Sequence, residues 1–355
     1  MSNGSPDILK LKNDYDKSDI YGVISDLPNQ MRDAAKIAKE LNFLFDKENV
    51  SNILFAGMGG SAIGGDVVGS LVESECSIPI TVVRNYRLPG WADQSTLVII
   101  SSYSGNTEET LSAYKDAREK KCQIICSTTG GKLEELALSD NLPYLKIPKG
   151  LPPRGAIAYA AIPWLVIFGS NGIISDKSPE IEDAAGHLDD MVKVYGNLES
   201  EETNIALETA KKLKGKLPVI YVSSGAFSVI GRRWANQLQE NAKVLAYSSE
   251  LPEMNHNEIM GWHLKGQKDV AVLPVFISTD MYHERINKRF EITSRLIKEK
   301  GIEPVQIALT GESLITQFFT FVNMGDFISY YLALLNEVDP EPVDIISDLK
   351  KELTV

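Results

Sequence analysis

Leu97-Val98-Ile99-Ile100-Ser101-Ser102-Tyr103-Ser104-Gly105-Asn106-Thr107-Glu108-Glu109-Thr110 is the stretch on which the fold turns. Its unbroken run of branched apolar residues reads as a strand, Leu97 to Ser101, buried on both faces as strands of parallel sheets are. A turn rich in hydroxyls follows, and it opens an amphipathic helix reaching about Lys120. Further strands are expected at Asn52 to Ala56, Ile80 to Val83, Gln123 to Cys126 and Pro143 to Ile147. In the second half they are expected at Val219 to Val222, Lys243 to Tyr247, Val270 to Val275 and Val305 to Leu309. Apolar β-rich runs alternating with helical patterns define an α/β chain whose parallel sheets are covered by helices.

The order of parts occurs twice. Asn52-Ile53-Leu54-Phe55-Ala56 leads into Gly57-Met58-Gly59-Gly60-Ser61-Ala62-Ile63-Gly64-Gly65, and Val219-Ile220-Tyr221-Val222 leads into Ser223-Ser224-Gly225-Ala226-Phe227-Ser228. Two similar doubly wound domains account for this repetition. The expected division is a helical arm over 1–40, a first domain over 41–170, an acidic helical linker over 171–215, and a second domain with a C-terminal helix over 216–355. A chain of 355 residues has ample length for two cores.

Composition narrows the classes. A net charge of −12 argues against nucleic acid or an anionic membrane as the main partner, so an anionic ligand must be gripped locally. Three cysteines make no disulfide framework, and Cys122 and Cys126 lack a second ligand pair for zinc, which points to a reducing cytosol. The first residues, Met1 to Asp7, have neither the basic nor the apolar region of a secretory signal. Residues 155–175 carry no charge, yet their apolar part, Gly155 to Phe168, falls short of the ~20 residues of a membrane span and is expected to be a buried core helix.

Two turns carry chemistry. Gly57-x-Gly59 between a strand and a helix is a place where backbone can approach a phosphate, because glycine has no Cβ and tolerates positive φ. Gly57-x-Gly59-x-x-Ala62 also fits a dinucleotide fingerprint, but Arg84 stands where an acidic residue would close the second strand. In the other turn, Ser102, Ser104 and Thr107 can converge with helix N-terminal amides on one phosphate. Simple capping is the competing reading, with Thr107 and Thr110, or Ser104 with Thr107 and Glu108, closing the helix without a ligand.

These residues resemble the sugar isomerase (SIS) domain, a flavodoxin-like fold whose Ser/Thr turns hold the phosphate of phosphosugars. A tandem pair is similar to the phosphoglucose isomerase superfamily. Pro153-Arg154-Gly155, Asn236-Gln237-Leu238-Gln239-Glu240-Asn241-Ala242-Lys243 and Glu253-Met254-Asn255-His256-Asn257-Glu258 narrow the resemblance to the bifunctional phosphoglucose/phosphomannose isomerases, over about Asp26 to Leu353. The resemblance implies that phosphate is held by Gly59, Gly60, Ser61, Ser102, Ser104 and Thr107 with Arg154 nearby. It implies Glu240 as the base that moves a proton between C1 and C2, His256 as the group that opens the sugar ring, and Lys350, with Lys351 adjacent, as the C-terminal lysine of the site. It further implies a homodimer in which His256 reaches the neighbouring site. The second-domain turn, with Phe227 in place of a glycine pair, is expected to frame the sugar without holding phosphate.

Aldose-ketose interconversion needs a base able to carry a carbon-bound proton through a cis-enediol, and a carboxylate in a partly desolvated cleft suits that task. Ring opening needs a proton shuttle near neutrality, which imidazole supplies. Glu253 and Glu258 are expected to orient the His256 ring, whereas His187, His263 and His283 have helical or strand-flanking settings. No cofactor is expected, because the reaction is redox neutral, and no metal set stands out, since no histidines pair as H-x3-H or H-E-x-x-H. The alternatives are a phosphosugar-binding SIS regulator, an amino-sugar phosphate isomerase, a glucosamine-6-phosphate synthase, which would need an N-terminal cysteine where the first here is Cys76, or an NADP-dependent oxidoreductase. The acidic residues 1–50 do not suit a DNA-binding segment, and the oxidoreductase leaves the Ser102 to Thr107 turn unexplained.

Overall fold

The computed structural model describes residues 7–41, 43, 45, 47–198, 203–263 and 271–353. They fall into two units, residues 27–186 on one side and residues up to 26 with those from 187 on the other.

In the unit over 27–186 the elements run α3 (Leu27–Leu41), β1 (Asn52–Ala56), α4 (Gly59–Val72), β2 (Ile80–Val83), β3 (Thr96–Ser102), α5 (Glu108–Glu119), β4 (Gln123–Thr128), α6 (Gly131–Ser139), β5 (Tyr144–Lys146) and α7 (Ile157–Ser170). The helices preceding α3 in the chain, α1 (Ile8–Tyr15) and α2 (Ile20–Ser25), belong to the other unit. The five strands are all parallel and ordered β2-β1-β3-β4-β5. This is the flavodoxin-like order, in which the chain reverses direction between β1 and β3 and leaves a crevice at the carboxyl ends of those two strands. Every residue of β3 is buried, as its lack of alternation requires. The charge-free stretch is the buried core helix α7, whose Trp164 and Phe168 pack edgewise on Phe55 of β1.

In the other unit the elements are α1, α2, α9 (Ile205–Leu213), β6 (Leu217–Ser223), α10 (Ser228–Glu240), β7 (Tyr247–Leu251), β8 (Val272–Thr279), α11 (Glu284–Lys298), β9 (Val305–Leu309), α12 (Leu314–Leu335) and α13 (Asp344–Leu353). Its four parallel strands are ordered β7-β6-β8-β9, which repeats the first sheet without the fifth strand. α8 (Ser178–Tyr195) runs through the division between the units.

The expected fold class is present, with differences of detail. The residues assigned to an arm over 1–40 are divided: α3 packs on α7, while α1 and α2 pack on α12. From the expected linker, α9 packs on α12 as well. The strand expected over Lys243 to Tyr247 lies further along, at Tyr247–Leu251. Lys243 has φ 58°, so the chain is still turning there, and the apolar Leu245 that suggested a strand is exposed. β8 extends to Thr279 because its ladder with β9 runs from Val275 to Thr279. Val270, the expected start of that strand, lies outside the described residues.

α12, which no periodicity in the sequence predicts, has 22 residues and is by length and composition apolar enough to cross a membrane, but every residue from Ile315 to Leu335 is buried. It forms the centre of that unit's core, touching α1, α2, α9 and α10.

Candidate active site

The two chemically suggestive turns of the first unit both emerge where β1 and β3 end. They are joined directly, since the Tyr103 amide donates to Ser61 Oγ at 3.1 Å. Gly60 lies so close to the 3-10 turn Pro153–Gly155 that an added Cβ would sit 2.6 Å from the Pro153 carbonyl oxygen. The glycine-rich turn is therefore seated on the segment that carries the buried Arg154. Gly59 has φ 51° and is exposed, as a residue of a backbone cradle would be.

Counting protons separates the hydroxyls. Ser102, 1% exposed, donates to Thr107 Oγ1 at 2.9 Å and accepts from the Gly105 amide at 3.1 Å, so its proton is used inside the turn. Ser61 accepts from Tyr103, Ser104 accepts from the Asn106 amide at 3.2 Å, and Thr107 accepts from Ser102. A hydroxyl that is already accepting keeps its one proton to donate to a phosphate oxygen. α4 and α5 both start without a side-chain cap: Met58 and Thr107 stand at the two N-caps, and neither caps through its side chain. The capping reading of Thr107 is thereby displaced, and the first amides of two helices remain for an anion.

In the second unit, Glu240 is the last residue of α10 and is half-buried. The motif around it mostly holds that helix in place. Gln237 Nε2 donates to Asp326 Oδ1 at 2.7 Å, Arg233 Nη2 to Asp326 Oδ2 at 2.6 Å, and Asn241 Nδ2 to Ser329 Oγ at 2.9 Å. All three donors are buried where α10 meets α12, leaving Glu240 as the acidic group at the helix end. Asp326→Ala would leave the Arg233 charge buried without its carboxylate, so the loss expected in chemical denaturation is about 3–5 kcal/mol. Arg233→Met combined with Asp326→Leu should recover most of it.

His256 closes a short 3-10 turn, Glu253–His256, and is exposed. Its neighbour Asn255 is pinned, donating from Nδ2 to the buried Thr293 Oγ1 at 2.8 Å and accepting from Arg289 Nη1 at 3.3 Å. The expected orientation of the His256 ring by Glu253 and Glu258 does not occur. Glu253 accepts from Asn257 Nδ2 at 2.8 Å, and Glu258 accepts from the Tyr221 hydroxyl at 2.5 Å.

Residues 202–353 match the family model described as bacterial phospho-glucose isomerase C-terminal SIS domain. A bifunctional phosphoglucose/phosphomannose isomerase of Caldicellulosiruptor bescii is 41% identical over 94% of this chain and 98% of its own length. The chain belongs to that family. A second member, from Thermoplasma acidophilum, is 39% identical over 86% of this chain and 90% of its own. Among solved structures, a hypothetical protein of Thermus thermophilus shares the fold, with a TM-score of 0.75 and 16% identity over 98% of this chain and 94% of its own.

Set against the family's paired domains, the turn of the second SIS domain has the opposite hydrogen-bond sense from the first. Ser223 Oγ donates to the Ser224 carbonyl at 3.0 Å, and Ser224 Oγ donates to the Leu251 carbonyl at 3.2 Å, so both protons are used. Phe227, 2% exposed, fills the turn and packs on Tyr282, Phe318 and Phe321. Burial, and after it the Glu258 carboxylate, raises the Tyr221 phenol far above its ordinary range. Burial likewise pushes the Cys126 thiol up to about 12 and Cys122 to about 11, so neither is a reactive thiolate near neutrality.

The C-terminal lysines are distinguished by their partners. Lys351 pairs with Asp348 at 2.9 Å, while Lys350 makes no ion pair among the described residues. Sequence reasoning missed the element that ties this helix down. Lys243 Nζ donates to the carbonyls of Glu240 at 2.6 Å and Pro342 at 2.7 Å, joining the end of α10 to the segment that leads into α13. A lysine following Glu240-Asn241-Ala242, at a helix C-terminus where cations are favoured, was the available signal.

Proposed function

We propose that this chain interconverts glucose 6-phosphate and mannose 6-phosphate with fructose 6-phosphate. The observation that carries this reading is the proton accounting at the first-domain turn, where Ser61, Ser104 and Thr107 are all left as donors beside two uncapped helix starts. The phosphate is held by these hydroxyls and amides together with Gly59, Gly60 and Arg154, with Ser102 holding the turn in shape.

The chemistry follows from the groups assigned. With the ring open, Glu240 takes the proton from C2 of the aldose, and the C1 carbonyl becomes part of a cis-enediol as O1 is protonated. Glu240 returns the proton to C1 while the O2 hydroxyl gives up its own, leaving the ketone at C2. Protons and electrons balance without a redox partner. His256 shuttles the proton between the anomeric hydroxyl and the ring oxygen, and Lys350 offers a positive charge to the oxygens that carry developing negative charge. A coupled assay offering each of the three sugar phosphates separately tests the reading, with glucosamine 6-phosphate as the test of the amino-sugar alternative. Turnover of the amino sugar alone would overturn it.

The protein is further proposed to act in the cytoplasm, in keeping with three free cysteines, and as a homodimer in which His256 serves the neighbouring subunit. Mixing inactive Glu240→Gln with inactive His256→Ala under subunit exchange measures this. If each site draws the two groups from different chains, a hybrid dimer has one site with both groups intact and about half the wild-type activity of that dimer returns. If both groups come from one chain, no activity returns.

A further inference from the structure

Besides Arg295 and Lys298 in its last turn and Glu284 in its first, α11 carries three basic residues near its N-terminal end. Arg285, Lys288 and Arg289 stand at i, i+3 and i+4 in its first two turns, on one face. Cations are favoured at the C-terminal end of a helix, and at the N-terminal end they oppose the macrodipole unless an anion compensates. All three line a cavity of about 280 Å³, shared with Ile292 and Thr293 of α11 and with Asn255 and Ile259 of the segment around His256. Among the described residues no carboxylate lines it. The internal compensation is partial: Lys288 pairs with Glu291 at 2.7 Å, Arg289 is engaged with the neutral Asn255, and Arg285 makes no ion pair among the described residues. Three cations gathered in one cavity of a chain with a net charge of −12 call for a reason.

We propose that the cavity between α11 and the Asn255 turn binds a small polyanion, carrying phosphate or carboxylate groups, that tunes the placement of His256. The volume suits a ligand smaller than the ~300–1,000 Å³ usual for drug-sized molecules. Arginine forks and a lysine ammonium are the donors that phosphate and carboxylate take up. The coupling runs through two bonds. Arg289 is both a wall of the cavity and a donor to Asn255 Oδ1, and Asn255 precedes His256 in the same 3-10 turn. An anion that draws the guanidinium towards itself loosens the Asn255 clamp, leaving Thr293 as its anchor. The anion site stands independently of the isomerase reading; the coupling rests on the ring-opening role given to His256.

The binding test uses the full chain carrying Ser104→Ala and Thr107→Ala, which weakens phosphate binding at the first-domain turn by ~10²-fold. Pyrophosphate and citrate are titrated separately by calorimetry, to distinguish phosphate from carboxylate ligands. Saturable binding of at least one is expected, weakened at least about tenfold when Arg285→Ala and Lys288→Ala are added. Absence of saturable binding, or binding unchanged by those two substitutions, overturns the site. The coupling is read in the wild type at saturating substrate, where competition at the substrate site is suppressed. The bound anion should lower turnover of ring-closed glucose 6-phosphate about fivefold and leave an open-chain analogue unaffected. The Arg285→Ala, Lys288→Ala variant should show wild-type turnover and no response to the anion. Binding without that selective loss overturns the coupling and leaves the site. If the chain turns over no phosphosugar at all, the isomerase reading fails while calorimetry still decides the cavity.

Discussion

Glu240→Gln is expected to lower turnover of glucose 6-phosphate and mannose 6-phosphate by at least ~10²-fold while leaving substrate binding intact. The substitution keeps the side chain's size and hydrogen-bonding reach and removes its basicity. Gln237, Arg233 and Asn241 hold the end of α10 against α12 independently of position 240. The decisive readout is isotopic. In deuterated water the wild type should place deuterium at C1 or C2 of recovered substrate, whereas the variant should not. Continued exchange in Glu240→Gln would assign the proton transfer to another base.

Ser104→Ala combined with Thr107→Ala should raise KM for fructose 6-phosphate by at least ~10²-fold, since two charge-assisted bonds contribute ~1.5–3 kcal/mol each. Turnover should fall as well, because phosphate binding energy also orients the reacting carbons. Ser223→Ala with Ser224→Ala is the matched control. Those hydroxyls donate to backbone carbonyls, so KM should stay at the wild-type value. An unchanged KM in the first pair, or an equal rise in both, would remove the phosphate from the first-domain turn.

Much of this arrangement is legible in the linear chain. Leu97 to Ile100 and Ile53 to Ala56 are buried strands whose apolar runs leave no polar face for solvent, and each ends at a turn rich in glycine or hydroxyls. Val244-Leu245-Ala246 has the apolarity of a strand, whereas the edge strand β7, Tyr247–Leu251, has a half-exposed and polar face that hides it in the sequence. α12 is not legible in the sequence because a helix buried on all sides has no amphipathic period to detect. The carboxylates beside His256 looked like its orienting partners by proximity in sequence, yet Glu258 is taken by Tyr221, 37 residues away.

The α/β class, the doubling of the domain, the two turns and the family to which they belong can all be read along the chain, because strand burial, glycine placement and turn chemistry are local properties. Which hydroxyls keep a proton for a ligand is settled by folding. That depends on where distant amides and carbonyls point: Tyr103 toward Ser61 in the first domain, Leu251 toward Ser224 in the second. Two serine-rich turns acquire opposite capacities because the groups packed against them differ: an amide donor at Ser61 in the first, a carbonyl acceptor at Ser224 in the second.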